Sequence, residues 1–333
     1  MDDPQADAGP GILAGAVDVH AHFLSAGYRK ALGAAGLESL DGMPAGIPHW
    51  TAGLALDLMD AAGIAMSVLS ISSPGVLLEA DDRAAVGLAR RVNDDAAQIA
   101  RAHPDRFGFF ASLPLPHVDA SIAEIGRSME ELSASGVVLL TNYRGCYLGD
   151  ARFDPVFQEL DRRRSVVFLH PTAPPGGSSV APGYPPPLLE FIFDTTRAVV
   201  SLMLSRTLDR YPGIRLVVPH GGAALPVLAD RVERVGAALE RAAGRDPVNV
   251  QSILRRLYYD VAGGTPDGIL PALLRLADPD RLLYGSDYPF TPPSRVRELA
   301  ALLQTTALLS EQQRPAVLAG NASALLRTLP YWP

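Results

Sequence analysis

Cysteine and lysine are almost missing from this chain. Each occurs once, as Cys146 and Lys30, in 333 residues. A lone cysteine excludes an intrachain disulfide and a zinc site built on thiolates. The other basic residues are all arginine, a skew that fits GC-rich coding better than a binding surface. With a net charge of -7 there is no basic footprint for nucleic acid. Apolar runs are of strand length and none approaches a membrane span. Residues 1–11 are acidic and small, without the positive start and apolar core of a signal peptide, so a flexible tail on a cytoplasmic protein is expected. No Gly-rich phosphate turn follows the first apolar run, which argues against a dinucleotide-binding open sheet.

What is present is a rhythm. Apolar runs at Ala16–His20, Met66–Ile71, Arg106–Ser112, Gly136–Asn142, Val166–His170, Ile214–Pro219, Leu257–Val261 and Arg281–Gly285 read as strands. Helix-like segments separate them: Thr51–Ala62, Asp81–His103, Val118–Ala134, Asp154–Arg163, Leu189–Leu208, Ala224–Ala243, Ile269–Ala277 and Ser294–Leu309, with one more over Glu311–Leu329. Gly27–His49 reads as a long loop. Strands that are apolar on both faces belong in parallel sheets covered by helices. Eight such units in one chain predict a (β/α)8 TIM barrel over residues 1–333, as one domain, with the doubly wound sheet as runner-up.

A barrel carries its chemistry at the C-terminal ends of its strands. Strand one runs Val17-Asp18-Val19-His20-Ala21-His22, and the i, i+2 spacing puts both histidines on one strand face. A His-x-His pair alone is more often structural. Here, however, strand five ends in His170, strand six in His220, and strand eight runs into Asp287. His20, His22, His170 and Asp287 make a three-nitrogen, one-oxygen set that suits one divalent metal, zinc first, with manganese, iron or cobalt as alternatives. Asp287 could instead cap the last barrel helix, but that helix starts nearer Pro292-Pro293. His220 is the extra group, a general acid/base or a fifth ligand.

These residues carry a resemblance. The motifs Val17-Asp18-Val19-His20-Ala21-His22, Phe168-Leu169-His170-Pro171, Val218-Pro219-His220-Gly221-Gly222 and Leu283-Tyr284-Gly285-Ser286-Asp287-Tyr288-Pro289, in this order, resemble the amidohydrolase superfamily. Phe109-Phe110-Ala111-Ser112-Leu113-Pro114 and Phe193-Asp194-Thr195-Thr196-Arg197 extend the likeness over nearly the whole chain. The branch that it looks like is the one that includes aminocarboxymuconate-semialdehyde, γ-resorcylate and 6-methylsalicylate decarboxylases. The resemblance implies a metal on His20, His22, His170 and Asp287, His220 as the catalytic histidine, and a homodimer or higher oligomer. Binuclear members bridge two metals with a carboxylated lysine on strand four. Val137-Val138-Leu139-Leu140-Thr141-Asn142 holds no lysine, so a mononuclear site is expected.

The resemblance therefore points to a non-oxidative decarboxylase, a carbon–carbon lyase, taking an ortho-hydroxybenzoate-like or unsaturated acid, with His220 or Asp287 delivering the proton. The alternative keeps the metal and makes the protein a hydrolase or cyclodehydratase acting on an amide or lactone in secondary metabolism. A non-catalytic binding barrel is the third reading, opposed by the intact ligand set. Either enzyme takes a small acidic or aromatic molecule. Tyr28, His49, Trp50, Arg144, Glu190, Phe191 and Tyr288 are candidate substrate contacts because they adjoin site elements. Arg144 offers a fork for a carboxylate, with a plain surface arginine as the competing reading. Residues 171–190, rich in Pro and Gly, are a possible lid, or a passive loop.

Overall fold

Strands form where the sequence is β-branched and apolar without interruption. Val166–His170 is the clearest case, buried along its whole length. The computed structural model describes residues 13, 15–78, 83–176 and 183–327. The expected tail over 1–11 lies outside the described residues, as do residues 177–182 of the expected lid.

The strands are β1 (Ala16–His22), β2 (Ile64–Ser70), β3 (Phe107–Phe109) continued by β4 (Ala111–Ser112), β5 (Val137–Leu140), β6 (Val166–His170), β7 (Arg215–Val218), β8 (Tyr258–Asp260) and β9 (Leu282–Leu283). They pair in parallel, in chain order, in two runs, β1 to β3 and β4 to β9. The runs join where β3 passes into β4 around Phe110. They join again between β9 and β1, where Val19 N donates to Tyr284 O (3.0 Å), Asp287 N to His20 O (2.7 Å) and His22 N to Tyr288 O (2.7 Å). The result is a closed (β/α)8 barrel. Alternate strand residues sort into two layers. Val167 and Leu169 join Leu160 and Leu202 between strands and helices. Val166 and Phe168 join Val217 and Leu283 inside the barrel.

The helices are α1 (Ala26–Ala34), α2 (Ala52–Ala62), α3 (Arg83–Ala102), α4 (Val118–Glu130), α5 (Asp154–Arg162), α6 (Glu190–Leu204), α7 (Leu225–Ala242), α8 (Val250–Arg256), α9 (Pro266–Leu273) and α10 (Pro293–Thr305). Thr51 caps α2 by accepting from Leu54 N, and Gly63 closes it in the left-handed conformation at φ 77°.

Four local expectations change. The loop expected over Gly27–His49 begins with α1, which Ser25 nucleates by accepting from Tyr28 N. The helix expected over Leu189–Leu208 stops at Leu204, because Arg206 turns left-handed (φ 64°) before a single turn at Thr207–Arg210. α8, unforeseen, is capped by Asn249, which accepts from Ser252 N. The helix expected over Glu311–Leu329 is broken into short α and π turns up to Leu326. Among the described residues, no helix is long and apolar enough to cross a membrane.

Candidate active site

β1 delivers two imidazoles to one point. Its pairing with β2 is irregular between Asp18 and Ala21, a local bulge of the kind that re-aims side chains beside active sites. His20 Nε2 and His22 Nε2 end 3.1 Å apart and fully buried. From β9's loop, Asp287 Oδ1 lies 3.4 Å from His20 Nε2 and 3.2 Å from His22 Nε2. His170, ending β6, completes a buried trio with His20 and His22, their ligand atoms all within 4.8 Å of one another. His220 stands on the other side, its Nε2 3.6 Å from Asp287 Oδ2. Asp287 therefore presents one oxygen to the histidine cluster and the other to His220.

The opposite ring nitrogens show which way the lone pairs point. His20 Nδ1 meets Asp260 Oδ2 at 2.9 Å, His22 Nδ1 meets Ser70 O at 3.2 Å, and His170 Nδ1 meets Pro171 O at 2.7 Å. Each partner is an acceptor, so each Nδ1 carries the proton and each Nε2 faces inward as a bare lone pair. Three lone pairs and a carboxylate oxygen converging in a buried space repel one another unless a cation sits between them. The donor set fits a single divalent metal on His20, His22, His170 and Asp287.

Electrostatics agree with that demand. Burial would depress the His20 imidazole, but Asp260 and Asp287 outweigh it and raise its pKa to about 10. The site asks for positive charge there, a proton or a metal ion. Burial holds His22 below its ordinary value and His170 well below. Burial works against ionised Asp287, yet His20, His22 and His220 hold its carboxyl well below the usual range.

Two residues that sequence reasoning passed over organise this cluster. Asp260, ending β8, accepts from His220 N (2.9 Å) and Ala262 N (3.0 Å) on Oδ1, and holds His20 on Oδ2. Asp18 Oδ1 accepts from His20 N and from Ser286 N, both at 3.0 Å, fastening β1 to the loop that bears Asp287. Burial pushes the Asp18 carboxyl up to about 7. Both were findable. Asp18, His20 and His22 share one strand period, and Asp260 is a carboxylate at a barrel strand's C-terminal end. The backbone at the site is bent to purpose: His220 and Asp287 both sit at φ 56°, which non-glycine residues rarely adopt. Gly263 has to be glycine, since a Cβ there would lie 2.9 Å from His220 Cδ2.

A cavity of about 580 Å³ opens onto His170, His220 and Asp287. Its walls are mostly apolar, with Leu40, Met43, Phe191, Ile192, Ile269 and Phe290 contributing. Among the described residues, no lysine or arginine lines it. Of the candidate substrate contacts, Phe191 lines this cavity. Tyr28 is buried in the core with its hydroxyl donating to Gly75 O (2.8 Å). Trp50 is core as well, its ring 6.0 Å from that of Phe23, while His49 is exposed. Glu190 is buried at the start of α6, and Tyr288 bridges to Ala21. Arg144 is exposed and does not line the cavity. Asn142–Tyr143 and Cys146–Tyr147 form a tight hairpin, and Arg144 and Gly145 are its left-handed tip. Thr141 and Asn142 instead bond Asp194, which also receives the Tyr147 hydroxyl. Of the possible lid, residues 171–176 and 183–190 are described, and Pro187 and Leu188 line the cavity.

Comparison with known proteins adds to this geometry. The Amidohydrolase family profile matches residues 17–328. The 6-methylsalicylic acid decarboxylase of Penicillium expansum is 35% identical over 303 residues, 90% of this chain and 92% of that protein. A solved amidohydrolase II structure superposes with a TM-score of 0.86 at 35% identity, covering 94% of this chain and 99% of the other. The 5-carboxyvanillate decarboxylase of Novosphingobium aromaticivorans, solved with manganese and a hydroxymethoxynitrobenzoic acid, shares the fold at TM-score 0.86 and 22% identity, over 98% of this chain and 100% of that one.

Proposed function

The chain belongs to the amidohydrolase family, and on that footing we propose that it is a metal-dependent, non-oxidative decarboxylase of an ortho-hydroxybenzoate-like or related unsaturated acid. The observation that carries the reading is the two-faced Asp287: one oxygen in the histidine cluster, the other 3.6 Å from His220, at the floor of an apolar cavity. The named activity of the Penicillium relative supports it. Zinc is the ion the three-nitrogen, one-oxygen set favours, with manganese as the alternative.

When bound, the metal would hold the substrate's carboxylate and neighbouring hydroxyl and neutralise their charge. The protein's own groups do the rest. Asp287 Oδ2 and His220 Nε2 stand 3.6 Å apart, and one of the two delivers the proton to the ring carbon that bears the carboxylate. Transfer of that proton makes the carbon tetrahedral, the C–C bond electrons return to the ring, and carbon dioxide leaves. Asp260 keeps His20 oriented and fixes the His220 backbone through the same carboxylate. The apolar walls exclude water and clasp the ring face. No side-chain cation lines the cavity among the described residues, so the substrate carboxylate is anchored at the histidine end.

The test is direct. Metal-loaded protein is incubated in heavy water with salicylate, 6-methylsalicylate and resorcylates, following carbon dioxide, phenol and ring deuterium. The expected result is deuterium at the vacated carbon. Fully metallated protein that turns over none of the panel would count against the proposal, and oxygen exchange without carbon dioxide would favour hydrolysis. Atomic emission on the purified protein identifies the metal.

A further inference from the structure

The cavity has two ends of different chemistry. At one end are His170, His220 and Asp287; elsewhere its wall is nearly all apolar. One ionisable side chain breaks that wall among the described residues, Asp41, on the segment between α1 and α2. Its position is built. Ser73 Oγ donates to Asp41 Oδ1 at 2.8 Å and also contacts Thr172 Oγ1 at 2.9 Å. The adjacent Ser72 Oγ stands 3.4 Å from His170 Nε2. Consecutive residues thus touch the metal end and the Asp41 carboxylate, and their Cα atoms are only about 3.8 Å apart. The two ends therefore face one small-molecule-sized space. Asp41 holds a left-handed backbone (φ 50°), and burial, opposed by the Ser73 hydrogen bond, pushes its carboxyl up to about 6. Among the described residues, no lysine or arginine faces it across the cavity. A lone carboxylate among apolar walls, with one oxygen tied and no cation opposite, is a reader of hydrogen-bond donors and a repellent of anions.

We propose that Asp41 is the specificity-determining residue of this cavity: its carboxylate accepts a hydrogen bond from a hydroxyl on the substrate away from the reacting carboxylate, and it rejects acids that carry a second carboxylate there. This rests on the decarboxylase reading and narrows it to aromatic monocarboxylic acids with apolar bulk and one distal hydroxyl. A buried acceptor left without its donor discriminates strongly against the analogue that lacks it.

Equilibrium binding separates this from turnover. The probes are 2-nitrophenol, which cannot lose carbon dioxide, the set of its isomeric derivatives that carry one further ring hydroxyl, and 4-hydroxy-3-nitrobenzoate and its positional isomers, titrated into metal-loaded protein. One hydroxylated isomer is expected to bind roughly ten- to hundred-fold tighter than 2-nitrophenol. The carboxylated probes are expected to bind more weakly than 2-nitrophenol. Asp41→Gly, which glycine accommodates at positive φ, reduces the hydroxyl advantage to about threefold or less on the same scale. Asp41→Asn keeps an acceptor and the left-handed backbone, and relieves the carboxylate penalty by roughly tenfold. Thermal melts confirm that both variants are folded. The proposal is overturned if no hydroxylated isomer outbinds the parent, if Asp41→Gly keeps the full preference, or if Asp41→Asn leaves the carboxylate penalty in place. Failure of the decarboxylase reading looks different: this binding pattern intact, with no carbon dioxide from any carboxylic acid.

Discussion

Asp260→Asn removes one charge and changes no heavy-atom shape, yet the hydrogen bonds around it dictate a specific failure. Oδ1 accepts from two backbone N–H groups, His220 and Ala262, at 2.9 and 3.0 Å. In the variant, only the amide oxygen can occupy that place, so the amide nitrogen must take the Oδ2 position, 2.9 Å from His20 Nδ1. Two donors cannot face each other, so His20 gives up its Nδ1 proton and carries one on Nε2 instead. That nitrogen could then no longer serve the proposed metal site. Loss of an orienting partner costs roughly ten- to hundred-fold in metal affinity, about 1.4–2.7 kcal/mol. Competition against a chromophoric chelator measures the affinity, and long-range nitrogen–proton correlation spectra of labelled His20 report the tautomer. Turnover at saturating metal should fall by at least the same factor. A variant that binds metal within about threefold of the parent, with the Nδ1 proton still in place, would refute the reasoning.

His220→Gln is expected to leave metal affinity within a few-fold and to cut kcat by roughly 10²–10⁴, measured on chelator-calibrated protein by carbon dioxide release. Gly263→Ala places a Cβ 2.9 Å from His220 Cδ2 at φ 84°, so both the melting temperature and kcat should fall, with stability down by about 1–3 kcal/mol. Glu159, through its bonds to Arg162 and despite partial burial, has its carboxyl lowered from 4.5 to about 2. Its stabilising contribution is complete above the ordinary value and is lost as pH falls towards 2. Glu159→Gln should therefore lower stability at neutral pH and flatten the loss between pH 4.5 and 2 in urea titrations, a range set by those two values.

The barrel was legible because its strands announce themselves. Val166–His170 is four consecutive apolar positions followed by a histidine, and the structure buries all five. His20, His22, His170, His220 and Asp287 were each readable as polar residues where an apolar run stops, and the fold brings them to one point. Tertiary partners are harder to see. Asp260 can be picked out as a carboxylate at a strand's C-terminal end, but nothing local says that it spans to His20, 240 positions away. Arg144 is harder to judge from sequence: it follows a strand end, but it stands exposed on a left-handed turn outside the cavity lining, and backbone handedness at a non-glycine residue leaves little trace in composition. Helix α1 hid in a Gly- and Ala-rich stretch whose only signal was Ser25 as its cap.

The seam between β1 and β9 has a consequence for biosynthesis. His20, His22 and His170 leave the ribosome before Asp260 and Asp287, which lie at least 90 residues further along the chain. The nascent chain can gather imidazoles early, but the tautomer-setting Asp260 and Asp287, the fourth ligand of the proposed site, arrive only with the last strands and the closing seam. In that proposed site, tight metal capture would be a late event coupled to closure of the ring, and any ion that binds the closed form adds to its stability by mass action. Fragments split between α7 and α8 would each hold part of the ligand set, and chelatable metal would act as the clasp that reunites them.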